Sequence, residues 1–459
     1  MTYNELGMKA MCHARLLATL TTSVLLVTVA SGSDALGQNA ESAASPPAPP
    51  VTTPAAKPAT PARSGSPPII VLYTMGEGEL VFEKWGHAAL CVERPGSPVR
   101  GICYNYGTTD FTRPVGVVWD FVRGKGRFWV SRDSEENMIQ RYMGYDRSLW
   151  RQVLPFTPEQ AMLAAARLEH EALPENRYYI YHHYFDNCTT RVRDIIDAVT
   201  DGALRKDTAG KLGPTYRDYS RHGFAELTWA LIGTDLLLAR QADEQPNLWQ
   251  AMFLPEVLRE HVTERLGAKP ELIYEHQGRT FSHDPGMGGR GYLFGMAIVL
   301  AAIVALARWR GRFERLALAI MVMPLFLITV VVWGLPMISK IEALRYNEVL
   351  LVFLPLDLAL PFLRKERRQR YAQLRVGWLA LVSLLCAIGV LTQPLWASIA
   401  LVFAPFAVIA APVFPTRKVA MPLTEKTEPA GRVRATGSKN KSKAKAGSKS
   451  GKNKKKPGR

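Results

Sequence analysis

Hydrophobic and polar residues alternate in the middle of the chain and separate into long blocks in its last third. Residues 68–73, 79–92 and 101–106 have the pattern of strands, and a turn rich in Pro and Gly at residues 95–98 separates the last two. Strands joined by a short turn pair antiparallel. We therefore predict a small antiparallel sheet near the start of a folded domain.

Two helices are predicted downstream of these strands. Thr157 and Gln160 have the spacing of a capping box around Pro158, which predicts a helix over residues 158–172. We expect the apolar face of this helix to include the residues Met162, Ala165, Ala166 and Leu168. Residues 189–199 alternate apolar and charged positions at helical spacing, and Asp186 or Asn187 is the expected N-cap. Strands followed by helices predict the α+β fold class for this domain.

Five hydrophobic blocks follow the domain and predict membrane spans. They cover residues 292–307, 316–333, 349–363, 376–391 and 395–413. Arg and Lys cluster in residues 308–315, in residues 364–375 and after residue 417, so the positive-inside rule places these clusters in the cytoplasm. The alternative is that one or two blocks are interfacial or re-entrant, because prolines interrupt them. They are Pro324, Pro355, Pro361 and Pro405.

The amino terminus predicts export. Lys9 and Arg15 precede an apolar run over residues 16–30, followed by small residues, which is typical of a signal peptide or a signal anchor over residues 1–33. A linker rich in Pro and Ala over residues 34–68 then leads to a periplasmic domain over residues 69–285. A multi-pass domain of about five helices at residues 292–414 and a disordered basic tail at residues 415–459 complete the prediction for a bacterial inner-membrane protein.

Most of the positive charge lies in that tail. From Arg417 onward the sequence has 15 Lys and Arg against 2 Glu, which accounts for +13 of the net charge of +17. A tail of Lys, Ser, Gly and Asn cannot bury enough apolar surface to fold, and behind a membrane span it faces anionic lipid headgroups. We therefore expect the membrane as a partner and no nucleic acid.

Cysteine usage singles out Cys188. Cys12 lies in the export segment and Cys386 in a predicted span, which leaves three cysteines in an oxidising compartment. If residues 91 and 103 belong to a hairpin centred on Ser97, Cys91 and Cys103 face one another and a cross-strand disulfide can form. Cys188 is then the unpaired thiol.

Cys188 and His87 are the candidate catalytic pair. A thiol in the first turn of a helix is close to unpaired backbone N–H groups, which stabilise the thiolate. His87 is flanked by small residues that leave room for close approach. The hairpin register puts Asn105 diagonal to His87, where it can orient the ring, whereas a slip of one residue would turn Asn105 to the other face. Taken singly, Cys188 is as typical of a small packed residue and His87 of a structural histidine.

Two further patterns are poor indications of chemistry. Residues 286–291 spell the glycine fingerprint of dinucleotide sites, but no strand precedes them and a predicted span follows. His182, His183, Asp186 and Cys188 lack a second ligand pair at zinc spacing, and adjacent histidines in a strand point to opposite sides. We predict no metal and no cofactor.

Three motifs resemble one known family. The runs at residues 85–88 (Trp-Gly-His-Ala), 104–107 (Tyr-Asn-Tyr-Gly) and 186–191 (Asp-Asn-Cys-Thr-Thr-Arg) are similar to those of the periplasmic domain of Lnb-type lipoprotein N-acyltransferases. The resemblance covers about residues 69–258. More distantly, the order of His before Cys resembles the circularly permuted branch of NlpC-type papain-like enzymes.

The resemblance implies transfer of a fatty acyl group from the glyceryl moiety of a lipoprotein to its own N-terminal amine. Cys188 would form a thioester, His87 would move the proton, and backbone N–H groups at the helix start would hold the oxyanion. The partners would be a lipoprotein or phospholipid substrate and the membrane. Three residues of the motifs are candidates for substrate binding, although their types are as common in packing or on solvated surfaces. They are Tyr106, Asn187 and Arg191.

Two other functions stay open on the sequence. NlpC-type enzymes also hydrolyse peptide bonds of cell-wall peptides with a similar Cys-His pair. The five hydrophobic blocks favour a lipid substrate, because a wall peptidase needs only a tether. A membrane scaffold or sensor with an inactive fold is the third reading, and it would tolerate replacement of Cys188.

Overall fold

The structure is a computed structural model that describes residues 66–412, except residues 99 and 111. The predicted export segment, most of the predicted linker and the basic tail lie outside the described residues. One seven-stranded sheet organises residues 69–274, which we call the sheet domain, with the strand order β6-β4-β3-β2-β1-β5-β7. The strands are β1 (Ile69–Met75), β2 (His87–Glu93), β3 (Gly101–Thr108), β4 (Arg127–Ser134), β5 (Leu149–Val153), β6 (Tyr178–Ile180) and β7 (Glu271–Tyr274).

All neighbouring strands pair antiparallel, as predicted for the first three. In the β2–β3 hairpin, Cys91 lies opposite Cys103, and the two form a disulfide. The pairing of Leu90 with Tyr104 continues the same register toward Asn105. The predicted strand at residues 79–92 was too long, because residues 81–83 form a 3-10 helix (Val81–Glu83) and β2 begins only at His87.

The two faces of the sheet bury different cores because side chains alternate along each strand. Ile70, Leu72, Ala88 and Leu90 lie on the face covered by helices. Val71, Tyr73, Ala89, Cys91 and Cys103 lie on the opposite face with Met138. The helices of the sheet domain are α1 (Pro114–Val122), α2 (Glu135–Gly144), α3 (Pro158–Glu171), α4 (Cys188–Val199), α5 (Tyr216–Gly223), α6 (Thr228–Leu237), α7 (Leu248–Ala251) and α8 (Pro255–Leu266).

Helix α3 confirms the predicted capping box. Thr157 Oγ1 accepts from the N–H of Gln160 at 3.2 Å, and the Gln160 side chain accepts from the N–H of Thr157 at 3.0 Å. The predicted apolar face was partly wrong, because Met162 and Ala166 are exposed. The buried positions follow the i, i+3, i+4, i+7 spacing of one helical face. They are Ala161, Ala164, Ala165 and Leu168.

A helical region follows the sheet domain. Its α-helices are α9 (Gly288–Arg310), α10 (Glu314–Ile338), α11 (Glu342–Arg345), α12 (Lys365–Ala387) and α13 (Trp396–Ala410). Helices α9 and α10 are long and apolar enough to cross a membrane. Helix α13 is apolar but shorter. Helix α9 packs against both α6 and α13, so the helical region is continuous with the sheet domain.

The third hydrophobic block differs from the predicted helical span. It forms two 3-10 helices, Glu348–Leu351 and Pro355–Phe362. Pro355 and Pro361 lack the N–H that an α-helix needs, which prevents a continuous helix here. This segment runs antiparallel to α12 and receives donors from it. Trp378 Nε1 donates to the Leu351 carbonyl at 2.7 Å, and Arg375 donates to the Val352 carbonyl at 2.7 Å.

The basic residues 364–375 are also not the loop that we predicted, because they form the first half of α12. Two of them turn inward and are buried. Arg368 pairs with Glu314 at 3.3 Å, and Arg375 pairs with Asp357 at 2.8 Å. Buried arginines are tolerated when a carboxylate neutralises them, so these two pairs join α10 and the 3-10 segment to α12.

Candidate active site

Helix α4 begins at Cys188, and the side chain of Asn187 caps it. Asn187 Oδ1 accepts from the N–H groups of Thr189 and Thr190, both at 2.9 Å. Asn187 Nδ2 donates to the carbonyls of His183 and Phe253, both at 2.9 Å. An amide side chain has two donors and two acceptor lone pairs, so these four bonds use all of them. The side chain of Asn187 is thus fully used as a helix cap, and its predicted substrate-binding role stays a prediction.

The same cap corrects the predicted oxyanion site. The N–H groups of Thr189 and Thr190 already donate to Asn187, so they are not free to hold a developing negative charge. Of the first three N–H groups of α4, only the N–H of Cys188 does not donate to the Asn187 side chain. An oxyanion formed at Cys188 therefore needs at least one further donor from another element.

His87 is the first residue of β2 and lies beside Cys188. Burial alone would raise the pKa of the Cys188 thiol, but three neighbours lower it. They are His87, through its charge and a hydrogen bond, the N–H of Ala88, and the hydroxyl of Thr189, whose Oγ1 is 3.7 Å from the sulfur. The net pKa is about 7. A reactive thiolate is thus available near neutral pH, which is the requirement for a cysteine nucleophile.

Several polar atoms on the sheet side of this pair are buried and have no well-formed hydrogen bond among the described residues. They are His87 Nε2, Asn105 Oδ1, Asn105 Nδ2 and Tyr179 Oη. Asn105 lies on the same face of the sheet as His87, as predicted, but no hydrogen bond joins the two side chains. Leaving such groups unpaired costs about 1–3 kcal/mol each. Buried donors and acceptors that lack a partner within the described structure favour the binding of a polar ligand.

Three tyrosines surround the pair and were not predicted from the sequence. Tyr142 of α2 stacks on His87, with ring centroids 5.9 Å apart and planes at 18°. Burial, together with the charge of Cys188, raises the pKa values of Tyr142, Tyr179 and Tyr181, that of Tyr142 to about 12. All three phenols are therefore neutral donors near neutral pH.

Gly107 allows β3 to approach the helix start. Its φ is +91°, a conformation that residues with a side chain rarely adopt. A Cβ at Gly107 would lie 3.6 Å from Cys188 Cβ and 3.9 Å from Tyr179 Oη. Cys188 and the Tyr179 hydroxyl therefore both lie next to Gly107.

Arg191 pairs with Asp186 and contacts the ring of Tyr179. Arg191 donates to both carboxylate oxygens of Asp186, at 2.5 and 2.7 Å. Its guanidinium lies 4.4 Å from the centroid of the Tyr179 ring, in a cation–π contact. The predicted contact of Arg191 with substrate is not required to explain its place in the motif. Its geometry is that of a residue that positions Tyr179.

Tyr106 lies in the core between the sheet and α3. Its side chain is fully buried in the core beneath the sheet, and its hydroxyl donates to Glu171 of α3 at 2.7 Å. Tyr106 thus packs the sheet against α3, and its predicted substrate-binding role stays a prediction. Of the six predicted site residues, the structure brings His87 and Cys188 into direct interaction and places Asn105 on the same sheet face as His87.

The comparisons with known proteins agree with these motifs. Residues 66–221 match the family model described as the Lnb N-terminal periplasmic domain, and this range contains every residue of the site. No curated protein and no solved structure matched the chain. The match over residues 66–221 agrees with the resemblance of the three motifs to Lnb-type proteins.

Proposed function

We propose that the protein is a membrane-bound cysteine acyltransferase that moves a fatty acyl group to the N-terminal amine of a lipoprotein. The observation that carries the proposal is the Cys188 thiol, which has a pKa of about 7 at the start of α4 beside His87. It lies in a domain whose family is that of Lnb-type proteins. The two apolar helices α9 and α10 directly after the domain support a substrate that resides in the lipid.

The first half of the reaction forms a thioester. The Cys188 thiolate attacks the ester carbonyl of the acyl donor, and the carbonyl π electrons move to oxygen. When the tetrahedral intermediate collapses, the bond to the glyceryl oxygen breaks, and His87 gives that oxygen a proton. The acyl group is then bound to sulfur, and the donor carries a free hydroxyl.

The second half returns the enzyme to its starting state. The amine of the lipoprotein attacks the thioester carbonyl, and His87 takes the proton that the nitrogen loses. Breakage of the carbon–sulfur bond leaves an amide and regenerates the Cys188 thiolate. No water, metal or cofactor is needed for the atoms to balance.

Tyr179 is the proposed donor to the oxyanion. Its hydroxyl is buried and has no hydrogen-bond partner among the described residues, and it lies next to Gly107, as Cys188 does. The N–H of Cys188 is the second candidate donor. The raised pKa of Tyr179 keeps the phenol protonated, so it can donate when charge develops on the carbonyl oxygen.

The order of His87 before Cys188, with the histidine on a strand and the cysteine at a helix start, supports a permuted papain-like arrangement. In the helical region, the 3-10 segment at residues 348–362 lies antiparallel along α12, and we assign it as a fifth crossing beside α9, α10, α12 and α13. Non-helical backbone is tolerated at membrane depth when protein groups satisfy it. Five crossings support a multi-pass protein of the inner membrane with the sheet domain in the periplasm.

The test is mass spectrometry of a reporter lipoprotein from cells that lack their own N-acyltransferase. The cells express the full chain, its Cys188→Ala variant, or the control variant Cys386→Ala, which removes the other free cysteine of the described residues. We expect an N-acylated lyso-form with the parent and the control, and an unmodified diacylglyceryl form with Cys188→Ala. An unmodified form in all three cultures, with Cys188-dependent cleavage of wall peptides, would instead establish a peptidase.

A further inference from the structure

A groove of about 260 Å³ lies between the sheet domain and the segment that follows α10. Its upper side includes Ile180, Tyr181 and Phe185 from β6 and the approach to α4. Its lower side consists of residues 340–342, which come directly after the end of α10. The groove therefore opens at the level where an apolar helix leaves the lipid.

The approach of the two sides is built into the fold. The N–H of Lys340 donates to the carbonyl of Arg123 at 3.3 Å, just before Gly124. Gly124 has a φ of +65°, and a Cβ there would lie 3.1 Å from Lys340 Cβ. A side chain at Gly124 would push the post-helix segment away. The groove is thus a fixed junction between the domain and the helical region.

The inner end of the groove lies next to the nucleophile. Tyr181 lines the groove, and the bridge between His182 and Asp186 places Tyr181 across from Asn187, the residue before Cys188. The Tyr181 ring is fixed against Phe128, with centroids 4.5 Å apart. A ligand in the groove would therefore reach the thiol along the Tyr181 ring.

Exposed apolar side chains continue outward from the groove. On α1, which ends beside Gly124, Val115, Val118 and Trp119 are exposed, and at the end of α10 Met337 is 85% exposed. Trp side chains favour the boundary between lipid and water, and a short helix with an exposed apolar face lies well in that boundary. These exposed side chains favour contact of the groove mouth with a lipid surface.

The charges at the rim indicate the kind of lipid. Glu342 and the exposed Lys340 line the groove with one charge of each sign, and among the described residues neither is in a salt bridge. Among the described residues, Glu342 accepts one hydrogen bond, from the neutral amide of Gln241 at 2.9 Å, and it lies near His182 of the same groove, whose pKa burial lowers. A carboxylate without a cationic partner suits an ammonium group, such as the N-terminal amine of a lipoprotein, better than an anionic phospholipid headgroup.

We propose that this groove binds the ester-linked acyl chain of a diacylglyceryl lipoprotein, with its amine at Glu342 and its ester carbonyl at Cys188. The inference rests on the proposed acyltransferase function and assigns the binding site for its substrate. Ile180, Phe185 and Ile341 supply the apolar contacts for the chain, and α1 holds the mouth at the lipid surface.

The experiment uses the full chain with Cys188→Ala in vesicles of phosphatidylethanolamine and phosphatidylglycerol. The probe is a synthetic diacylglyceryl lipopeptide with a diazirine in its ester-linked acyl chain, and peptide mass spectrometry locates the crosslinks. We expect crosslinks on residues 180–185 and 341. Ile180→Trp in the same background should lower the crosslinking yield about tenfold. That change corresponds to the free energy of burying about two methylene groups.

Ile69→Trp is the matched control, because Ile69 is also a partly exposed strand isoleucine but does not line the groove. It should leave the crosslinking yield unchanged. Crosslinks confined to the outer surfaces of α9 and α10, or an Ile180→Trp yield equal to that of the control, would overturn the proposal. So would equal crosslinking of the groove by a phospholipid that carries the same diazirine chain.

A second measurement separates this proposal from the proposed function. The parent chain is incubated with the lipopeptide, and the acyl thioester on Cys188 is sought by mass spectrometry of the intact protein. Groove crosslinks without a thioester would support the binding site and refute acyl transfer. A thioester without groove crosslinks would support acyl transfer and refute the binding site.

Discussion

The two sides of Cys188 differ in how their polar groups are satisfied. On the helix side, Asn187 uses all four of its hydrogen-bonding positions within the protein. On the sheet side, His87 Nε2, the Asn105 amide and the Tyr179 hydroxyl are buried without partners within residues 66–412 as the structure describes them. Satisfied polar groups stabilise and fix a structure, whereas unsatisfied ones raise its free energy until a ligand meets them. The helix side therefore supports the nucleophile, and the sheet side is prepared for substrate.

Among these variants, replacement of the general base His87 should have the largest effect on the rate of thioester formation. We expect His87→Ala to lower the rate of thioester formation by about 10²–10⁴-fold, as for other general acid–base residues. The variant also loses the main influence that lowers the pKa of Cys188, so burial would raise that pKa. The measurement is the rate of iodoacetamide alkylation of Cys188 against pH.

In the parent protein the alkylation rate should rise with a midpoint near pH 7 and fall about tenfold per unit below it, because only the thiolate reacts. In His87→Ala the midpoint should move to higher pH. An unchanged midpoint in the variant would show that His87 does not stabilise the thiolate.

Two tyrosine variants sharpen the comparison. Tyr179→Phe removes an unpartnered hydroxyl, so we expect about a 10²-fold loss in the rate of thioester formation with little change in stability. Tyr106→Phe removes a hydroxyl that is bonded to Glu171, so we expect about 1 kcal/mol loss of stability and an unchanged rate. Equal rates for the two variants would argue against a Tyr179 oxyanion donor.

The helix side should respond in stability. Asn187→Ala leaves the N–H groups of Thr189 and Thr190 and the carbonyls of His183 and Phe253 without their partner. We expect the free energy of unfolding of the sheet domain to fall by about 2 kcal/mol, as measured by denaturant titration. Asn137→Ala, on the exposed first turn of α2, is the control. A variant as stable as that control would contradict the capping role.

The smallest effect is expected at Arg191. Arg191→Lys keeps the charge but loses the paired contact with Asp186 and the flat contact with the Tyr179 ring. We expect about a tenfold lower kcat with little change in KM, because the residue acts through Tyr179. In a Tyr179→Phe background the same substitution should add almost nothing. A full additional loss there would indicate a direct contact of Arg191 with substrate.

Local sequence signals predicted the parts of the site that depend on neighbouring residues. The Asn187 cap, the position of Cys188 in the first helical turn and the register of Cys91 with Cys103 all follow from short-range spacing. The contribution of Tyr142 could not be predicted, because it reaches His87 from a distant helix and one tyrosine has no spacing signal. Tyr179 and Tyr181 are two positions apart in the run before Cys188. This alternation was a usable signal for tyrosines near the thiol, but the predictions did not use it.

The helical region was predicted less well for a physical reason. Hydropathy counts apolar residues, so it found the third block but could not distinguish an α-helix from a 3-10 segment broken by Pro355 and Pro361. The charge pattern placed Arg375 in a loop, whereas in the structure it neutralises Asp357 inside the helical region. Pairing between residues far apart in the chain decides such positions, and composition does not contain it.

The disulfide between Cys91 and Cys103 has a consequence for how the protein matures. Before oxidation the sheet domain has three thiols, and two of their three pairings would consume Cys188. The disulfide in the structure joins residues only 12 positions apart. Closing this loop costs less conformational entropy than either of the other two pairings. If the hairpin closes first, Cys91 and Cys103 are oxidised together. Neither thiol can then form a disulfide with Cys188, so the nucleophile stays free.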